Sequence, residues 1–293
     1  MELYPPHADL VDQIVKNALD EDRARQDIST ATSVDPKQLG VGVIWYKEDA
    51  VVAGLQCVLS AFRQLDVDVF VTPLVDDSDY VQGGTSAARI QGKLTAILSA
   101  ERVALNLLQR LSGTATATRS LVSLIAEFPN TVVVDTRKTT PGLRALERYA
   151  VRCGGGKNHR DNLQDGVLIK DNHIKAASMR NLSLSQLITN IKLNSSHLLK
   201  IEVEADTREL ALAAFSAGAD IIMLDNMPPT EMKEIISEVR KENIGREILF
   251  EASGNINDET IKSVAETGVD IISVGAVTHS VKATNIALDI EIR

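Results

Sequence analysis

Residues 199–226 read LKIEVEADTRELALAAFSAGADIIMLDN, and three segments inside that stretch decide the architecture. Residues 199–204 and 220–224 are short apolar runs of strand length, and residues 208–217 between them carry the spacing of an amphipathic helix. Strand, helix, strand in that order reads as a βα unit on a parallel sheet buried on both faces. The pattern repeats outward. Further strands are expected at 132–135, 166–170, 247–251 and 270–274, with helices at 143–151, 184–193, 231–241 and 259–266. Six such units predict an α/β fold, an open (β/α) barrel rather than a doubly wound sheet.

The first 110 residues follow a different plan. Residues 9–25 have a helical pattern, 41–55 alternate around a turn at Lys47-Glu48-Asp49, and 67–93 hold two strand-like runs split by residues 76–79 and Gly83-Gly84. Strands grouped apart from helices predict a separate α+β domain. The expected division is an N-terminal α+β domain at 1–110 and a barrel at 111–278, with the tail 279–293 packing back on the first domain. A long helical pattern at 94–127, expected to break near Gly113, joins the two. No repeats, low-complexity tracts or flexible linker stand out.

Charge is distributed unevenly. Residues 137–175 carry nine basic and four acidic side chains, a local +5 in a chain of formal charge −9, which leaves −14 for the rest. A basic island in an acidic chain suits a small, highly anionic ligand, because the surrounding field repels nucleic acid and anionic membranes. Aromatic residues make up only 3%, too few to build stacking platforms for single-stranded nucleic acid. No apolar run reaches the ~20 residues needed to span a bilayer, and the N-terminus lacks the pattern of a signal peptide, so a cytoplasmic protein is expected. Cys57 and Cys153 are too few for a disulfide framework; Cys153, beside Arg152 and three glycines, is either a packed thiol or a nucleophile.

In βα architectures the C-terminal strand ends face one mouth, where chemistry is done. Those ends supply Asp135-Thr136-Arg137-Lys138, Lys170-Asp171, Glu202 and Glu204, Asp225-Asn226, Ser253-Gly254 and Gly275. Any one of these polar residues could simply begin a loop; six in succession are harder to explain so. Ser253-Gly254 and Gly275 follow the last two strands, where backbone N–H groups often cradle a phosphate. Arg137 and Arg160, with His159 beside the latter, suit a ligand with more than one carboxylate. Lys138 and Lys170 are placed to neutralise a diphosphate, and Glu204 and Asp225 to hold Mg2+ or sugar hydroxyls.

Taken as ordered motifs, DTRKTTPG (135–142), YAVRCGGGKNHR (149–160), VLIKDNHI (167–174), EASGNI (251–256), SVGAVTHS (273–280) and SAERVALNLLQRLSGTAT (99–116) closely resemble the quinolinate phosphoribosyltransferases, also called nicotinate-nucleotide pyrophosphorylases. The resemblance implies condensation of quinolinate with phosphoribosyl pyrophosphate to nicotinate mononucleotide, carbon dioxide and pyrophosphate, in a homodimer, with hexamers in some relatives. It implies that Arg102 reaches the partner's site and that Arg137, His159, Arg160 and Lys170 bind quinolinate. Lys138, Glu204 and Asp225 match groups around the phosphoribosyl pyrophosphate and metal, and Ser253, Gly254 and Gly275 match phosphate contacts. Asn255 departs from the more usual glycine, and either crowds the phosphate loop or adopts the same positive φ. Rival readings are a molybdenum-transport-associated homologue with another acceptor, a nicotinate phosphoribosyltransferase, an aldolase with Lys170 as Schiff-base lysine, and an inactive scaffold.

Overall fold

The computed structural model of the chain describes residues 3–242, 245 and 247–291, so the ends of the expected first domain and tail (1–2 and 292–293) lie outside the described residues. The chain begins with α1 (Ala8–Glu21), α2 (Ile28–Ser33), β1 (Leu39–Tyr46), β2 (Ala50–Val51), α3 (Leu55–Leu65), β3 (Phe70–Pro73), β4 (Tyr80–Val81), β5 (Ser86–Lys93) and α4 (Leu94–Leu124). It continues through β6 (Val132–Val134), α5 (Arg144–Cys153), β7 (Val167–Ile169), α6 (Asp171–Ser178), α7 (Leu184–Asn194), β8 (Ile201–Ala205) and α8 (Arg208–Ala217). The last elements are β9 (Ile221–Asp225), α9 (Pro229–Glu242), β10 (Leu249–Ser253), α10 (Ile261–Ala265), β11 (Ile271–Ser273), α11 (Ala276–His279) and β12 (Ile286–Glu291). Two compact units result. One comprises Met1–Arg119, Lys138–Gly156 and Ala276–Arg293; the other, Ser120–Arg137 and Lys157–Gly275.

The first unit is built on an antiparallel sheet in the order β12-β1-β5-β3. Alternation along β1 sends Ile44 and Tyr46 into the core, where both are fully buried with Phe62 of α3 and Ile97, Leu108 and Leu111 of α4. Each such side chain contributes roughly 1.5–3 kcal/mol of burial. Helix α3 has no counterpart among the sequence expectations, which place an alternating run at 41–55 and strand-like runs from 67. Strand β12 was also missed, although Ile286, Leu288 and Ile290 alternate with Ala287, Asp289 and Glu291.

The expected break near Gly113 is corrected: α4 runs 31 residues without interruption. Glycine is there for close approach. A Cβ at position 113 would lie 2.2 Å from the Lys282 carbonyl oxygen, a backbone atom that cannot swing aside.

The second unit is a six-stranded parallel sheet in the order β6-β11-β10-β9-β8-β7. Strands β7 to β11 are neighbours in chain order and β6 joins the far end, the order of a ring left open between β6 and β7. The outward face is apolar: Val133, Val203, Ile222, Leu224, Phe250, Ala252 and Ile272 are all buried. Helix α8 is set by the Thr207 hydroxyl, which accepts the Leu210 N–H at 3.3 Å. One device is used twice. Asp220 and Asp270, each preceding an Ile-Ile strand start, accept through Oδ2 an N–H near the start of a neighbouring strand, that of Ile201 and of Phe250, both at 2.8 Å.

Gly113→Ala tests the close approach. Alanine in an exposed helix normally gains about 1 kcal/mol over glycine, but overpacking against a backbone carbonyl costs about 1–3 kcal/mol. A lowered thermal midpoint is therefore expected, and a raised one would show that α4 and the Lys282 segment part easily.

Candidate active site

Strand alternation decides which residues face the inside of the open sheet. Register pairs Glu202 with Ile221, Glu204 and Glu251 with Met223, and Asp225 with Ser253, so one interior face carries Glu202, Glu204, Asp225, Glu251, Ser253 and Ser273. At the C-terminal ends, Glu204, Asp225 and Ser253 are half-buried. Lys170, following β7, forms an ion pair through Nζ with Glu204 Oε2. Its side chain is 47% exposed, which is not the desolvated setting a Schiff-base lysine requires. Of the described carboxylates, Glu204 and Asp225 end adjacent strands on one face, the oxygen donor set from which Mg2+ takes one or two ligands beside phosphates and water.

The turn after β10 is held by its neighbour. Asn226, Gly254 and Asn255 have φ of +55°, +92° and +50°, the left-handed region. Asn255 adopts the positive φ instead of crowding the loop, and its Nδ2 donates to Asn226 Oδ1 at 3.0 Å. A Cβ on Gly254 would fall 2.1 Å from that same oxygen.

Arg137 follows β6, and its Nε is buried with no hydrogen-bond partner among the described residues. Arg160 lies within range of its charge: burial, then Arg137, lowers the Arg160 pKa, while Glu202 raises it. Two guanidiniums brought together with an unused donor form a locus for a carboxylate or phosphate. Arg160 also donates from Nη1 to the Gly166 carbonyl at 2.9 Å and lines, with His159, Glu202 and Glu251, a cavity of about 360 Å3.

His159 is half-buried beside two interior carboxylates. Its Nε2 lies 3.3 Å from Glu202 Oε2 and 3.2 Å from Glu251 Oε2, and its Nδ1 accepts the Arg160 N–H at 2.8 Å. Glu202 and Glu251 are 4% and 1% exposed. Burial lowers the His159 pKa, but hydrogen bonds to the two carboxylates outweigh it and raise it to about 10. A second ring proton, however, would sit on Nδ1 against the Arg160 N–H. Nδ1 is thus an acceptor and Nε2 carries the ring proton toward the two carboxylates, while burial and Glu251 push the Glu202 pKa up to about 7 against the His159 hydrogen bond. These three residues also have metal-like spacing, with ligand atoms within 4.8 Å.

Two further expectations resolve structurally. The Cys153 thiol is buried and pushed up to about 11 by burial and Asp77, which makes it a packed thiol. His173 Nδ1 accepts the Lys170 N–H at 2.9 Å as a helix-start bond. Lys138 and Arg102 belong to the first unit. There the Lys138 carbonyl accepts from Thr278 Oγ1 at 2.8 Å, while the Arg102 side chain is 61% exposed. Sequence reasoning missed Arg110, which donates to the fully buried Glu147 at 2.9 Å, and Glu251, whose mid-strand position two residues before Ser253 was the available signal.

Family models for the quinolinate phosphoribosyl transferase N-terminal and C-terminal domains match residues 27–112 and 114–289. The chain belongs to the quinolinate phosphoribosyl transferase family. It is 41% identical over 261 residues to the probable nicotinate-nucleotide pyrophosphorylase [carboxylating] of Bacillus subtilis, covering 89% of this chain and 87% of that one. The Synechocystis protein of the same name is 40% identical over 276 residues, covering 94% and 90%. A solved nicotinate-nucleotide pyrophosphorylase from Francisella tularensis superposes with a TM-score of 0.90 at 36% identity over 99% of both chains. Among the described residues no helix is long and apolar enough to cross a membrane.

The proton on Glu202 sets a pH dependence. Its folded pKa of about 7 exceeds the ordinary 4.5, so the folded chain holds a proton that the unfolded chain releases between those values. Stability from this group is present below 4.5 and lost as pH rises through about 7. Glu202→Gln is expected to gain in thermal midpoint relative to the parent between pH 5 and 8; a difference that stays flat would mean the carboxyl is ionised throughout.

Proposed function

We propose that this chain transfers the phosphoribosyl group of phosphoribosyl pyrophosphate to quinolinate with loss of the C2 carboxylate, giving nicotinate mononucleotide, carbon dioxide and pyrophosphate. The observation that carries the reading is Arg137 beside Arg160, with a buried Nε that has no partner among the described residues. A dicarboxylate supplies the acceptor oxygens those donors lack, whereas a mono-acid leaves part of the cationic set unused. Relatives named as carboxylating pyrophosphorylases support the same acceptor over that of a molybdenum-transport-associated homologue.

Arg137, Arg160 and Lys170 hold the two carboxylates and orient the ring nitrogen toward the ribose. Departure of pyrophosphate leaves oxocarbenium character on the sugar, which Glu204 and Asp225 stabilise as preorganised charges. Lys138 takes the diphosphate, and Ser253, Gly254 and Gly275 hold the 5′-phosphate end. Glu204 and Asp225 would also hold Mg2+, which neutralises charge on the departing diphosphate. The ring nitrogen attacks, becomes cationic, and so stabilises the carbanion left when the C2 carboxylate departs. No decarboxylation cofactor is needed. A homodimer in which Arg102 completes the partner's site, working in the cytoplasm where its phosphorylated substrates are found, fits the exposure of the Arg102 side chain.

Incubation with phosphoribosyl pyrophosphate, Mg2+ and either quinolinate or nicotinate tests the reaction by mass spectrometry. Nicotinate mononucleotide and carbon dioxide from quinolinate alone are expected; product from nicotinate alone sinks the proposal. Lys138→Ala should lower kcat by about 100-fold or more, as loss of a transition-state charge does. Shared sites make a further expectation: inactive Arg102→Ala and Lys138→Ala chains, mixed and allowed to exchange subunits, should recover up to about a quarter of the parent activity, because half of the dimers are mixed and each has one intact site. No recovery after verified exchange removes the shared-site dimer.

A further inference from the structure

The buried residues Glu202, Glu251 and His159 have no part in the reaction as written above, and the acid pair needs a reason to exist. Inside a parallel barrel such positions are ordinarily branched aliphatics, and Val or Ile would fill them without the cost of burying charge. Glu251 Oε2 makes an ion-pair contact of 3.2 Å with His159 Nε2. Glu202 Oε1 and Glu251 Oε1 are buried without a hydrogen-bond partner among the described residues.

The connections of His159 show what the pair acts on. The segment carrying it is zipped to the open edge of the sheet: Lys157 N–H donates to the Val133 carbonyl at 2.8 Å, and Val134 bridges Lys157 in parallel. Asp135, fully buried, accepts the His159 N–H through Oδ1 at 2.7 Å and Asn158 Nδ2 through Oδ2 at 2.6 Å. The zip ends at His159. The next amide, that of Arg160, is held by the His159 ring itself, through Nδ1. A ring that turned would release that amide, so whatever fixes the ring fixes the residue carrying the guanidinium. Only Nε2 remains to fix it, and Nε2 faces the two glutamates.

We propose that Glu202 and Glu251 are positioning residues for Arg160: they hold the His159 ring through Nε2, and the ring holds the Arg160 backbone through Nδ1. His159 in this account orients Arg160. The inference rests on the reading of Arg160 as an acceptor-site residue. Glutamine at Glu202 keeps an acceptor oxygen within reach of Nε2, whereas alanine at Glu251 removes the carboxylate 3.2 Å from it.

Two readouts separate the failure of this inference from failure of the reaction assignment. In steady-state kinetics, Glu251→Ala should raise the KM for quinolinate about tenfold while the KM for phosphoribosyl pyrophosphate stays within about twofold, and Glu202→Gln should stay within about threefold for both. The double variant Glu251→Ala/Arg160→Ala should be no worse than Arg160→Ala alone, since residues acting through one another are non-additive. Additive losses, or a loss shared equally by the two substrates, overturn the proposal. Amide hydrogen exchange over residues 157–166 reads the latch whatever the acceptor is. Glu251→Ala should speed it about tenfold and Glu202→Gln should not; unchanged exchange in Glu251→Ala overturns the proposal. Absence of quinolinate turnover in the parent protein sinks the reaction assignment and leaves exchange to decide the latch.

Discussion

A carboxylate buried in a parallel-sheet unit must find hydrogen-bond donors, a proton or a cation, and the second unit is arranged around that requirement. Asp135, just past β6, and Glu202 and Glu251, on the inner face, are all buried. Each meets the segment 157–160 in a different way. Asp135 takes amide and side-chain N–H groups, and the two glutamates face the His159 imidazole. The gap between β6 and β7 is thereby filled by a segment bound through polar contacts. A closed barrel of aliphatics would be easier to stabilise but would leave no edge on which to hang Arg160.

The first unit meets the same requirement with arginine. Glu147 is fully buried and accepts from Arg110 Nη2 at 2.9 Å, from the Thr140 N–H at 3.0 Å and from Thr140 Oγ1 at 2.8 Å. Removing one partner of such a buried pair costs about 3–5 kcal/mol, because the other charge is left without compensation. The planar guanidinium also donates to Thr140 Oγ1 and to the Thr278 carbonyl, a spread of directions that a lysine ammonium on a flexible stem holds less well. Thr278 in turn donates to the Lys138 carbonyl. The loop bearing Lys138 is thus fixed at Thr140 and again at its own carbonyl, while the lysine side chain stays exposed.

Much of this was legible from the chain because parallel strands and their helices have different periods. The six strands from 132 to 274 were placed within a few residues, and Glu204, Asp225 and Ser253 were readable because strand ends in this architecture share one mouth. What was not legible depends on contacts remote in sequence. Gly113 looks like a helix break until the Lys282 carbonyl is known to lie against it. Asp77 resembles half of an acidic pair, yet it caps the start of α3 through the Gly54 and Leu55 N–H groups and accepts the Tyr149 hydroxyl at 2.9 Å. Arg110 is one of several polar residues along α4, and no local rule identifies Glu147, 37 residues on, as its partner. His159 was readable as a functional residue but not as one whose ring nitrogens face inward.

Asn255 illustrates how a departure from a family motif is absorbed. Asparagine tolerates positive φ better than most residues, and here its amide adds a hydrogen bond to Asn226 across the two strand ends. Glycine at that position would keep the backbone path but lose the cross-link. The adjacent Gly254 has no such latitude, since any side chain meets Asn226 Oδ1 before it meets solvent. The turn is therefore permissive at one residue and closed at the next. The backbone conformation of the turn, more than the identity of each residue in it, is what the Asn226 side chain holds.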